Sequence, residues 1–218
     1  MNIRPYSRRS AVIAMASLFA APAAAWAQRA AIAPLSAEDQ RLVDSAVAYL
    51  QGLTQVKGRF EQTDPRGRLT RGNFYLRRPG KFRFEYDPPN ELILVSDGNR
   101  YSQYNPRLNT FDQYPLMGNP LSIFLAKEIR LDRGIVVSQV RRFSDGFSIT
   151  ARDGEREAEG QIVLTFGGAP LALREWTTID NQGGRVRVVL SGLTRTSLEP
   201  SLFVLRNPRV QPGGPRPR

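Results

Sequence analysis

The sequence predicts a mainly β protein, one antiparallel sheet with two short helices packed on its apolar face. Apolar and polar residues alternate at a spacing of two over most of the chain. Tight-turn residues recur between these runs. Only two segments, following Ser36 and Asn119, carry helical spacing.

In chain order, Arg4, Arg8 and Arg9 precede an apolar run over residues 11–25, and Ala25-Trp26-Ala27 fits the small-x-small rule of a cleaved export signal. The run falls short of the roughly 20 strongly apolar residues that span a bilayer. Cleavage is therefore expected, with the mature chain starting at Gln28 and forming one soluble domain over residues 28–206. Arg8-Arg9 leaves both the general and the twin-arginine export routes open.

Ser36 can cap a helix in which Leu42, Val43, Ala46, Val47 and Leu50 share a face, ending near Gly52. From Thr54 the period becomes two. Val56, Gly58, Phe60 and Gln62 oppose polar neighbours, and Asp64-Pro65-Arg66-Gly67 turns the chain into a strand with Thr70, Gly72, Phe74 and Leu76 on one side. Residues 81–86 alternate without fault, Phe82, Phe84 and Tyr86 against Lys81, Arg83 and Glu85. Three consecutive half-wet strands imply an antiparallel meander.

Residues 92–95, with Leu94 among them, are apolar on both faces, so this strand is central or covered. Asp97-Gly98 signals a hairpin to residues 101–104. Asn119-Pro120 opens a short helix bearing Leu121, Phe124 and Leu125 on one face. Five further strands are predicted at 135–141, 147–151, 161–166, 171–179 and 185–190, then a last one at 202–205 before a disordered Pro/Gly/Arg tail over 207–218. The two helices should bury their apolar stripes against the sheet, the only apolar face evident.

Composition narrows the chemistry. The chain has no cysteine and no histidine. That excludes disulfides, acylation of an N-terminal cysteine, His-based nucleophile activation and His metal sites. No P-loop, Gly-rich dinucleotide fingerprint, G-x-S-x-G or H-E-x-x-H occurs, and no cofactor is called for. The acids Asp153, Glu155, Glu157 and Glu159 read as a solvated hairpin tip, with a carboxylate or cation site as the rival reading. Loss of residues 1–27 removes three arginines and no acid, taking the net charge from +11 to +8. The arginines are scattered, which suits a solvated face, anionic headgroups or an acidic partner better than nucleic acid.

Phe60, Phe74, Phe82, Phe84 and Tyr86 have the parity of one surface, either an ordinary core or, if only partly covered by the helices, a ligand cavity. Counting by twos from Phe74 through Leu76 arrives at Arg78, just before Pro79 ends the strand. That guanidinium must either snorkel from the rim or find acceptors such as backbone carbonyls of a covering loop or helix end.

The ordered set Gly58-x-Phe60-x-Gln62, Gly72-Asn73-Phe74-Tyr75-Leu76-Arg77-Arg78-Pro79-Gly80-Lys81-Phe82-Arg83-Phe84-Glu85-Tyr86, Pro89, Ile93-Leu94-Val95-Ser96-Asp97-Gly98 and Tyr104-Asn105-Pro106 resembles the periplasmic outer-membrane lipoprotein carrier family, LolA. It spans about fifty residues, and beyond Pro120 the likeness is architectural. The resemblance implies an unclosed antiparallel half-barrel with a helical lid over an apolar cavity for acyl chains. Within it the family's lid-holding arginine falls on Arg78 and its rim aromatic on Phe82. Cargo contacts are expected from Phe60, Phe74, Leu76, Phe82, Phe84, Tyr86, Leu94, Leu121, Phe124 and Leu125. The implied partners are acylated lipoproteins, an ATP-driven inner-membrane lipoprotein-releasing complex and an outer-membrane receptor, served by a monomer in the periplasm. The receptor LolB shares the fold but is itself acylated on a cysteine, which this chain lacks. The segment after Gly192 is shorter than in well-known members, at the place of their C-terminal docking loop. Two rival readings stand beside the carrier: a lipoprotein- or amphiphile-sensing module of the same fold, and an exported enzyme using carboxylate chemistry.

Overall fold

The computed structural model describes residues 34–117, 121–130, 134–154 and 160–208. The export signal, the Asn119-Pro120 cap, Glu155, Glu157, Glu159 and residues 209–218 of the expected tail lie outside the described residues.

The chain runs α1 (Ala37–Gly52), β1 (Gln55–Thr63), β2 (Leu69–Arg77), β3 (Lys81–Tyr86), β4 (Ile93–Asp97), β5 (Arg100–Asn105), β6 (Thr110–Pro115), α2 (Leu121–Leu125), β7 (Ile135–Phe143), β8 (Gly146–Asp153), β9 (Gln161–Gly167), β10 (Ala172–Ile179), β11 (Arg185–Arg195) and a 3-10 turn at Pro200–Phe203. All strands form one antiparallel sheet in the order β6-β5-β4-β3-β2-β1-β11-β10-β9-β8-β7. The sheet is unclosed: β6 and β7 are its two edges. The mainly β architecture predicted from the alternation is observed, and so is the unclosed sheet that the resemblance implies.

Ser36 caps α1, its hydroxyl oxygen accepting from the Asp39 amide at 3.1 Å. The helix buries Val43, Ala46 and Leu50 in the same core as the inward residues of the sheet. The inward rows are set by register. Val56, Leu76, Phe82, Ser96, Tyr101 and Tyr114 stand opposite one another in turn across β1 to β6. The next row runs Gly58, Phe74, Phe84 and Leu94, and the third Phe60, Gly72 and Tyr86. Gly72 is needed in that third row, because a Cβ there would stand 2.0 Å from the Glu85 carbonyl oxygen and 2.6 Å from Cε1 of Phe60. Its bareness lets the Phe60 ring lie over the strand and meet both Phe84 and Tyr86 edge-on at 5.0 Å.

Three expectations are corrected. The sequence pattern predicts no strand at β6: most of its residues are exposed, so an edge strand here carries no apolar parity to read. No strand forms at residues 202–205: residues 202–203 end a 3-10 turn that Pro200 opens, and residues 204–205 follow it outside any strand. Backbone carbonyls that a strand would pair accept side chains, Leu198 from Arg77 at 3.3 Å and Leu202 from Arg83 at 3.1 Å. Finally, the sheet has a second apolar patch on its outer face. Val95 is buried there with Leu198 and Phe203, against Tyr75, Ile93, Leu202 and Leu205. This explains why residues 92–95 read as apolar on both faces: Leu94 faces the cavity and Val95 the C-terminal cover.

Candidate functional site

The inner face carries a connected set of rings. Phe74 and Phe84 lie 5.0 Å apart, Phe82 and Phe84 5.5 Å, and Trp176 of β10 meets Phe74, Phe84 and, from α2, Phe124 at about 6 Å. Between this floor and α2 lies a cavity of about 200 Å³. Of the residues singled out from sequence, Phe82, Phe84, Tyr86, Leu94 and Leu121 line it. Phe60, Phe74, Leu76 and Phe124 are buried in the surrounding core, and Leu125 borders a separate groove of about 780 Å³ at the rim.

The cavity wall is completed by Trp176, Tyr101, Gln62, Gln103, Thr178, Val186 and Val188. Trp176 escapes a period-two reading because β10 is irregular between Leu173 and Glu175. The bulge moves the inward set from Leu173 to Trp176, so simple parity points the indole outward. Inside the wall, Tyr86 donates to Gln62 Oε1 at 2.8 Å. Burial pushes its hydroxyl up to about 12, against a smaller opposing effect of that hydrogen bond, so it stays protonated.

Above the rings, Arg78 closes the rim. One guanidinium nitrogen donates to the Leu50 carbonyl at 2.5 Å, and the other to the carbonyls of Ala126 and, at 3.3 Å, Lys127. The first acceptor is in the last turn of α1; the other two directly follow α2. The Leu50 carbonyl also accepts from the C-cap amide of Leu53 at 3.0 Å, and it stands at the helix end that carries the negative pole of the dipole. α1 has no basic residue of its own in its last turn, so a cation from β2's end supplies one. Among the described residues Arg78 bonds neutral oxygens, and desolvation by burial lowers its pKa. It nonetheless remains charged, because an arginine guanidinium loses its proton only far above neutral pH.

Three further hydrogen bonds, from two residues, reinforce the clamp. Gln51, missed in the sequence because a polar residue at a helix end reads as solvated, donates to Lys127 O at 3.0 Å and accepts from the Ile129 amide at 3.1 Å. The amide of Gly80 donates to Leu125 O at 2.9 Å, and Gly80 itself sits at φ 68° with its Cα side hard against Gly98. At the opposite end of α1, Arg142 of β7 donates to Glu38 and Asp39 at 2.6 and 2.7 Å.

The model of the family described as outer membrane lipoprotein carrier protein LolA matches residues 51–206. The chain belongs to the LolA family. That match carries the resemblance well past Pro120 and takes in both the clamp residues Gln51 and Arg78 and the whole sheet. The outer-membrane lipoprotein carrier proteins of Xylella fastidiosa strains 9a5c and Temecula1 are 33% and 31% identical over 179 and 178 residues. In each case the alignment covers 76% of this chain and 81% of the relative. A crystal structure described as a LolA superfamily protein from Nitrosomonas europaea is similar with a TM-score of 0.46 at 9% identity, covering 77% of this chain and 97% of that one.

Proposed function

We propose that this LolA-family chain is a periplasmic carrier. It takes the acyl chains of lipoproteins from an ATP-driven inner-membrane releasing complex and delivers them to an outer-membrane receptor. On this reading residues 1–27 are the export signal, residues 28–206 are the working domain, acting as a monomer, and residues 207–218 are an appended tail.

The observation that carries the proposal is the Arg78 clamp, one guanidinium on the ends of both helices above an aromatic cavity. The cavity, at about 200 Å³, falls below the roughly 300–1,000 Å³ of pockets that enclose a drug-sized ligand. That is too small for a long acyl chain, so the clamped form suits the cargo-free state. Cargo must lift the helices. Burying each acyl methylene is worth about 0.8 kcal/mol, so two or three long chains supply tens of kcal/mol toward opening. The Arg78 bonds oppose this by stabilising the closed form alone, which makes release to a receptor favourable. Phe60, Phe74, Leu76, Phe82, Phe84, Tyr86, Leu94, Leu121, Phe124 and Leu125 form the surface that opening would expose to the chains.

The test loads purified wild-type and Arg78→Leu protein with a radiolabelled triacylated lipoprotein and then adds the outer-membrane receptor. The variant is expected to load normally but to hand over cargo about tenfold more slowly, the effect of about 1.4 kcal/mol. Equal transfer would overturn the switch role, and a wild type that takes up no lipoprotein would overturn the carrier reading.

A further inference from the structure

The cavity is bounded differently at the two edges of the sheet. On the β7 side, Arg142 ties the strand to Glu38 and Asp39 at the N-terminal end of α1. On the β6 side, the row nearest the clamp continues from the buried centre to the surface. Phe82, Ser96, Tyr101 and Tyr114 stand opposite one another across β3, β4, β5 and β6 and so share the inner face. Ser96 is buried, its hydroxyl donating to Gly80 O at 2.7 Å, and its small size lets rings from β3 and β5 approach over β4. Phe82 and Tyr101 are accordingly 6.5 Å apart, and Tyr101 stacks on Tyr114 at 5.2 Å with 27° between planes. With Phe84 linking Phe82 to Trp176, the rings run without a break from the cavity floor to Tyr114, which is 44% exposed on the edge strand. The larger groove opens beside this end of the row at Leu116, Met117 and Asn99, runs past Leu125 and Ala126, and reaches Ile135 of β7 and Asp153 of β8 at its far end.

We propose that an acyl chain enters and leaves the cavity over the β6 edge, along the Tyr114–Tyr101–Phe82 row, while α1 stays tied to β7 by Arg142. The inference rests on the carrier reading and adds the route. Aromatic faces offer a methylene chain continuous apolar contact, while a tyrosine hydroxyl stays compatible with water and with the polar linkage of the amphiphile. The apolar cost of crossing from solvent to cavity is thereby spread over the row rather than met at one step.

The absence of cysteine allows single-site labelling. Uptake and release of a palmitoyl chain bearing an environment-sensitive fluorophore are followed by stopped flow. Tyr114→Ser is expected to slow both uptake and release about tenfold at unchanged equilibrium occupancy, because a route alters the barrier and not its end points. Tyr114→Phe, which keeps the ring, retains wild-type rates. A bulky maleimide on Tyr114→Cys blocks uptake, whereas the same label on Leu69→Cys, exposed on β2 away from this row, does not. Unchanged rates in Tyr114→Ser, or lost occupancy at an unchanged uptake rate, would overturn the route. Should wild-type protein bind no acyl probe, the carrier reading itself fails.

Discussion

The guanidinium of Arg78 donates to the Leu50 carbonyl at 2.5 Å, and through its other nitrogen to Ala126, so the end of β2 is bonded to the C-terminal ends of both covering helices. Hydrogen bonds from charged donors contribute about 1.5–3 kcal/mol each. On the proposed carrier reading, bonds of this size would hold the closed state and still yield to acyl burial.

Arg78→Lys tests the fork geometry. An ammonium is a point donor on a flexible stem and does not reproduce two bonds held at a fixed angle. The variant should behave between wild type and Arg78→Leu, with faster opening read as increased binding of an apolar dye such as anilinonaphthalene sulfonate. Wild-type dye binding would show that charge alone suffices.

Phe124 is the anchor of α2 on Trp176, their rings 6.1 Å apart. Phe124→Ala should cost about 3–5 kcal/mol if the site fails to collapse, and less if Leu121 and Leu125 settle inward. Urea unfolding gives the loss. Trp176 emission should shift to longer wavelength in the variant as the indole loses its cover, and a wild-type spectrum would mean that α2 does not shield the indole.

Gly72→Ala is expected to destabilise by about 1–3 kcal/mol, since the added methyl meets the Phe60 ring and the Glu85 backbone. The urea midpoint should fall, and pairing Gly72→Ala with Phe60→Leu should recover part of the loss. Full additivity of the two changes would refute the ring's share of the clash and leave it to the Glu85 backbone alone.

The pH profile follows from the depressed carboxylates. Asp39 is lowered by the Ser36 hydroxyl and then Arg142, Asp87 by Arg59, Asp145 by Arg174, and Asp64 and Asp97 by the backbone amides of Arg68 and Arg100. Groups lowered on folding contribute stability above their unfolded pKa of about 3.9 and lose it as pH falls through the folded value. Stability should thus decline below about pH 4 and, with no histidine to titrate, stay flat from about pH 5 to about pH 8. Tyr86 works in the other direction. Raised to about 12 by burial, it contributes below about pH 10 and loses that contribution as pH climbs through its folded value. Chemical denaturation across this range checks both limbs. A midpoint that moves between pH 5 and 8 would contradict the assignment.

Local chemistry made much of this legible. The strict alternation of residues 81–86 reappears as β3 with the same bounds, and Ser36 with its apolar stripe reappears as α1. Counting by twos from Phe74 reaches Arg78, whose guanidinium lies on the helix ends. Where period fails, so does the reading. β6 has no buried face to impose one, and the bulge in β10 turns Trp176 inward against parity. Gln51 looks like a solvated helix end until the loop after α2 is laid beside it.

By itself, then, the sequence determined the alternating strands, the leading amphipathic helix and the family motif around Arg78, because each depends on neighbours within a few residues. Only the tertiary structure decided which carbonyls Arg78 bonds, that Val95 is covered from outside by Phe203, and that a row of rings reaches the β6 edge. Those contacts join residues tens to more than a hundred positions apart, and register and bulges that no local spacing records bring them together.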